Sequence, residues 1–273
     1  MNTSNPEHQE TGAKRAQVFA PRGVQMVAHP AAAHQLQTRQ TPHFKVSVDP
    51  GLGAAGVAIA DALMQTCEHD FATLQGYFGG ITPKSMPFHL VVTSGNQGAS
   101  HATCAATTLM IGAHSGAPAF MRSLVIAEED EVFEAAFGRG WNCGFSNGEG
   151  LSRVLANDMV PGVEPQSFVS PPEWLDKPSH VTGILREDWV SKTDKTDTNY
   201  LSIGCSVLFL NWMRFQLKFT WDQIIAAGAA TLAETYKNLA GKNDGWASFK
   251  SLIDARFLPG KPSHVKTDNP FPL

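Results

Sequence analysis

Residues 121–137, MRSLVIAEEDEVFEAAF, carry the feature that most restricts this chain: four consecutive acids, Glu128-Glu129-Asp130-Glu131, inside an apolar pattern. The spacing predicts a helix closed by Gly138. At about 100° per residue, Met121, Val125, Val132 and Ala136 share one face, and Glu128 falls among them. Asp130 and Glu134 are expected on the opposite side, towards solvent, with Glu131 at the margin one turn from Glu128. A carboxylate within an apolar face loses hydration and needs a hydrogen bond, a cation or a proton. The alternative is a mis-phased amphipathic helix whose acids are all solvated.

A second acid of interest is Glu149, in the phrase Cys143-Gly144-Phe145-Ser146-Asn147-Gly148-Glu149-Gly150-Leu151. Ser146 and Asn147 suit the N-terminal cap of a helix over 148–158. The helix dipole and its free amides favour an anion at Glu149, and the flanking glycines allow close backbone approach. An ordinary N-terminal carboxylate with no partner is the competing reading.

The rest of the chain divides around these segments. Residues 1–45 are rich in Gln, His, Ala and Pro without a sustained period, and five basic residues there (Lys14, Arg15, Arg22, Arg39, Lys45) outweigh Glu7 and Glu10. They are expected to form a loosely ordered tail, with Val18 to Val27 docking on the body, and residues 46–273 a single domain. Residues 54–78 show helical spacing up to Gly79-Gly80, FHLVVTS (88–94) reads as a strand, and 102–112 as a second strand after a Gly-rich turn. The Pro-rich stretch 159–197 is expected to be a long surface excursion. Four helices follow, beginning with NYLSIGCSVLFLNWMRFQL from 199. The fold class is therefore α+β: a small N-terminal sheet packed on helices, followed by a mainly helical half.

Composition excludes several functions. A chain of 273 residues with 42% hydrophobic content has enough apolar surface for a core, which excludes wholesale disorder. The net charge of −4 does not describe a polycation built for nucleic acid. No apolar run approaches the roughly eighteen residues of a membrane span, and the N-terminus lacks the apolar stretch of a secretory signal. Four cysteines in a chain this long do not make a disulfide scaffold. A soluble, reducing, cytoplasmic setting is the expectation, with no membrane and no nucleic acid as partner.

The succession of elements resembles the gluzincin metallopeptidases, which include thermolysin-like and aminopeptidase N-like enzymes and the basic secretory proteins. The likeness covers about residues 54–230. Those proteins have a long helix ending near a phrase like Tyr77-Phe78-Gly79-Gly80, a strand like FHLVVT, and an edge strand lining the substrate cleft. A helix bearing His-Glu-x-x-His follows, then a second helix opening with an Asn-Glu-Gly-like phrase whose Glu is the third zinc ligand. Here IAEEDEVF occupies the first helix and SNGEGLSRVLA resembles the second. Seventeen residues separate Glu131 from Glu149, close to the family interval. The next helix in the family often carries a Tyr near its start, as Tyr200 is here.

The chemistry departs from the family. Ala127 and Glu131 stand where the two histidines belong, and only the base position, Glu128, and the third-ligand position, Glu149, match by residue type. Zinc favours imidazole or thiolate, whereas a carboxylate set suits Mn²⁺, Mg²⁺ or Ca²⁺. Without zinc, Glu128 has no lowered-pKa water to deprotonate. The resemblance then implies a peptidase-like protein with a degenerate, zinc-free site, a pseudoenzyme or binding module whose cleft takes a peptide or small molecule. The alternative is a hydrolase using a carboxylate-bound divalent metal, with Glu131 and Glu149 as ligands, Glu128 as general base and Tyr200 beside it.

Other groups complete the candidate cleft: His101 and His114 flanking the expected edge strand, Asn147 before Glu149, and Gly138-Arg139-Gly140-Trp141. Either histidine could complete a mixed ligand set, or both are exposed loop residues. Arg139 or Arg153 could neutralise the acids as a structural ion pair. Trp141 lines a groove or packs in the core. Cys104, Cys143 and Cys205 read as core thiols, and a Cys–His nucleophile would require Cys104 or Cys143 beside a histidine.

Overall fold

Alternation of buried and half-buried residues in FHLVVT makes β3 (Phe88–Thr93) a strand with one face on the core, where Phe88, Leu90 and Val92 are buried. The computed structural model describes residues 37–95 and 98–273. Its five-stranded sheet has the order β1 (Gln37–Gln40), β2 (Phe44–Val48), β3, β5 (Thr108–Gly112), β4 (Ala99–His101). The three central strands run parallel, and both edge strands run antiparallel to their neighbours. Phe44 opposite Phe88, stacked with ring centroids 5.6 Å apart, and Phe71 edge-on to both anchor the sheet against the first helices.

The helical layers follow: α1 (Gly53–Met64), α2 (Cys67–Tyr77), α3 (Pro118–Phe137), α4 (Ser146–Met159), α5 (Pro171–Asp176), α6 (Tyr200–Asn211), α7 (Trp221–Ala226), α8 (Leu232–Ala240) and α9 (Gly245–Arg256). A π-helical turn over Trp212–Gln216 extends α6. The architecture is mixed α/β, a mixed sheet followed by a mainly helical half. No helix among the described residues is long and apolar enough to cross a membrane.

α3 lies at the centre, packed against α1, α2, α4, β4 and β5. Because it is covered on every side, all residues from Ser123 to Glu134 are buried. Asp130 and Glu134 are therefore not on a solvent face, and Glu131 is not marginal. Helical phase fixes which residues share a face, but not how many faces the fold covers.

Several boundaries differ from the sequence expectation. Residues 54–78 form two helices, because the chain turns at Gln65-Thr66. The 102–112 segment is not one edge strand: β4 ends at His101, a loop follows, and β5 lies inside the sheet between β3 and β4. Ser146 and Asn147 occupy the first turn of α4, with Phe145 at the cap position. The 159–197 stretch contains α5 and buries Trp174, Leu175, Arg186 and Val190, so it is no mere surface excursion. Residues 37–45, assigned to the tail, form β1 and begin β2, while residues 1–36, including the Val18–Val27 docking segment, lie outside the described residues. Cys104 and Cys143 are not separate thiols but a disulfide with Cα atoms 5.8 Å apart, whereas Cys67 and Cys205 are free and buried.

Candidate functional site

Three elements bring four side chains together. The last residue of the edge strand, His101, sends its ring onto α3, where Nε2 lies 2.9 Å from Glu131 Oε2 and 4.0 Å from Glu128 Oε2. From α4, Glu149 is close enough to raise the pKa of both acids. All four residues are buried.

Their polar atoms are under-satisfied. Both oxygens of Glu128, Glu131 Oε1, Glu149 Oε2 and His101 Nδ1 have no hydrogen-bond partner among the described residues. Burial pushes the Glu128 carboxyl well above its usual range, and Glu131 adds to this, with smaller contributions from Glu149 and Asp197. Glu131 is raised by burial and then by Glu149. Burial also raises Glu149, although Arg153 opposes the shift through a 2.9 Å bond from its Nε to Glu149 Oε1. A set of carboxyls in this state holds protons or a cation.

The local sequence explains the convergence. A Cβ at Gly148 would lie 2.2 Å from the Asn142 carbonyl oxygen and 2.3 Å from Glu134 Oε2. One at Gly150 would lie 2.7 Å from Ser206 Cβ. The glycines flanking Glu149 thus let α4 approach α3 on one side and α6 on the other. Glu134 consequently sits at the N-terminal turn of α4, where the helix dipole favours negative charge. Burial pushes its carboxyl well above the usual range, and Asp130 and then Glu131 add to the shift, while none of the four oxygens of Asp130 and Glu134 has a hydrogen-bond partner among the described residues.

The remaining candidates scatter. Tyr200 begins α6 with its ring 5.0 Å from the Arg153 guanidinium carbon, so it borders Glu149 through that arginine. Asn147 is buried and its Nδ2 donates to the Gly140 carbonyl, leaving Oδ1 unpartnered. His114 is exposed in the turn after β5. Arg139 is exposed and donates to the Ala226 carbonyl, and buried Trp141 donates from Nε1 to the Ile225 carbonyl. Both therefore tie the α3–α4 connection to α7. Arg153, not Arg139, is the cation beside the acids, and it pairs with Glu149.

Two contributors were not legible in the sequence. Asp197, half-buried in the loop before α6, raises Glu128, Glu131 and Glu149 together. Nothing in its Asp-Lys-Thr-Asp context separates it from a solvated loop acid. The Cys104–Cys143 disulfide crosses from the β4–β5 loop to the α3–α4 connection, bringing the Cys143 sulfur close to His101 and Glu131. The chain matches no family model, no curated protein and no solved structure.

Proposed function

We propose that this chain is a metallopeptidase-like protein of gluzincin type whose remodelled site binds a divalent cation through Glu131, Glu149 and His101, with Glu128 beside them. The observation that carries this is a buried imidazole beside Glu131 and Glu128, with carboxylate oxygens of Glu128, Glu131 and Glu149 that have no hydrogen-bond partner among the described residues. An antiparallel edge strand, an acid-bearing helix and a second helix opening on Glu149 support the family reading. An oxygen-rich set with a single imidazole favours Mn²⁺, Mg²⁺ or Ca²⁺ over Zn²⁺.

Its role in this reading is cation-dependent binding rather than peptide cleavage. His101, Glu128, Glu131 and Glu149 are closed to solvent, which admits an ion more readily than a peptide bond. The alternative is a hydrolase in which Glu128, a carboxyl with no hydrogen-bond partner among the described residues, would act as general base. The disulfide bears on location: in a reducing cytoplasm such a bond is transient and redox-responsive, whereas in an oxidising compartment it persists.

Elemental analysis of protein purified without added metal, followed by Mn²⁺, Mg²⁺, Ca²⁺ and Zn²⁺ titrations, tests this reading. Binding of one of the first three that Glu131→Gln and Glu149→Gln abolish is expected. Tight binding unaffected by both substitutions, or no binding at all, overturns it. Peptide cleavage with Zn²⁺ supplied that disappears with chelator and with Glu128→Gln would replace the binding role by a peptidase.

A further inference from the structure

Cys143 brings a sulfur to the cation site. Its Sγ, a ring nitrogen of His101 and a carboxylate oxygen of Glu131 all lie within 4.8 Å of one another, and all three residues are buried. His101 Nδ1 and Glu131 Oε1 lack hydrogen-bond partners among the described residues, so both retain capacity for a ligand. Tied to Cys104, however, Cys143 has no thiolate to offer, and metal ligation by cysteine requires the thiolate. The two residues differ in exposure: Cys143 is 1% exposed, while Cys104 is half-buried in its loop.

We propose that the Cys104–Cys143 disulfide is a redox gate on a zinc site formed by His101, Glu131 and Cys143. A dithiol reductant supplies the two electrons. Its thiolate attacks the sulfur of Cys104, the more exposed of the two residues, forms a mixed disulfide there and expels Cys143 as a thiolate beside His101 and Glu131. The reductant's second thiol then attacks its own sulfur in the mixed disulfide, releasing Cys104 as a thiol and leaving the reductant oxidised. The freed thiolate turns an oxygen-rich set into a nitrogen, oxygen and sulfur set, which is the donor chemistry Zn²⁺ selects. This inference rests on the cation-site reading for His101 and Glu131 and adds the condition under which the metal preference changes.

The test compares Zn²⁺ affinity, by chelator competition on the full chain, in the oxidised protein and in protein reduced with a phosphine. Cys104→Ser and Cys143→Ser are measured alongside. Reduced wild type and Cys104→Ser, each with a free Cys143, should bind Zn²⁺ roughly tenfold or more tightly than the oxidised protein. With Co²⁺ as probe, both should develop thiolate-to-metal charge-transfer absorption. Cys143→Ser should show neither change, with or without reductant. Equal affinity in oxidised and reduced protein, a reductant response that persists in Cys143→Ser, or melting of the fold on reduction overturns the gate. Failure of the oxidised protein to bind Mn²⁺, Mg²⁺ or Ca²⁺ counts against the carboxylate site alone, since the Zn²⁺ comparison is read independently of it.

Discussion

Glu149 Oε1 accepts a hydrogen bond from Arg153 Nε at 2.9 Å, one turn along α4, with both side chains closed to solvent. The arginine is fixed further by donating from Nη1 to the Phe168 carbonyl. The pair fixes one oxygen of the carboxylate, and Glu149 Oε2 has no hydrogen-bond partner among the described residues. Arg153→Met should cost about 3–5 kcal/mol, because it strands a buried carboxylate. The double variant Arg153→Met/Glu149→Gln should recover part of that loss. Urea melts of the full cycle decide the matter, and a single-variant loss below about 1 kcal/mol would mean the pair is not buried in solution.

Glu128 has the opposite character, since no arginine holds it and neither oxygen accepts a hydrogen bond among the described residues. Glu128→Gln keeps the shape and removes the charge from a cluster where Glu131 and Glu149 repel it. In chelator at pH 8 the variant should be more stable than wild type by about 0.5–2 kcal/mol. The gain should shrink when Mn²⁺ or Ca²⁺ is added, because the cation relieves the repulsion in wild type. A large loss of stability in both conditions would make Glu128 a structural anchor.

The buried acids also fix the sign of the pH dependence. Glu128, Glu131 and Glu134 have folded pKa values raised by burial above the usual value of about 4.3 for a glutamate. Between the unfolded and folded values the native state therefore binds more protons than the unfolded chain, and stability falls as pH rises. The contribution of these three acids in metal-free protein is greatest below the usual carboxylate range and is lost as pH increases through the raised values. The lowered carboxyls of Asp49, Glu68, Glu187 and Asp254 work in the opposite sense only at acid pH. Each proton of difference contributes about 1.4 kcal/mol per pH unit. Thermal melts across pH 5 to 8 (about the range usually accessible) should show this fall in chelator and a flatter profile with bound cation. A rise over that interval in chelator would contradict the burial of these acids.

Close approach of α4 to α3 gives a steric prediction. Gly148→Ala puts a methyl 2.2 Å from the Asn142 carbonyl oxygen, and should cost about 1–3 kcal/mol or more and weaken cation binding. Gly76→Ala, on the exposed side of α2 with nothing within 4 Å of the new methyl, should instead stabilise by roughly 0.5–1 kcal/mol. Paired melts and metal titrations check both, and similar behaviour of the two variants would contradict the helix contact.

The acids singled out by sequence and the groups around them separate sharply. Glu128, Glu131 and Glu149 were legible because an acid in an apolar helical pattern and an acid between two glycines are local signals. His101 was legible only as one of two histidines flanking a strand. The register of β4 against β5, with His101 opposite Leu109, distinguishes it from exposed His114. Arg139 and Trp141 follow closely after the acidic helix, yet the positive φ of 56° at Arg139 accompanies a chain reversal that sends both towards α7.

By itself the sequence determined a mixed sheet-and-helix chain with a mainly helical second half, the helical extent of residues 121–137 and the lack of a His-Glu-x-x-His motif. These depend on spacing and residue type along the chain. Tertiary structure alone decided that α3 is covered on every side, which buries Asp130 and Glu134 with the rest of the acidic run. It also joined Cys104 to Cys143 across a separation of 39 residues and set Asp197 against three distant glutamates. The reason is physical: hydrophobic periodicity records that a helix has an apolar side, whereas burial and charge proximity depend on which distant elements close over the others.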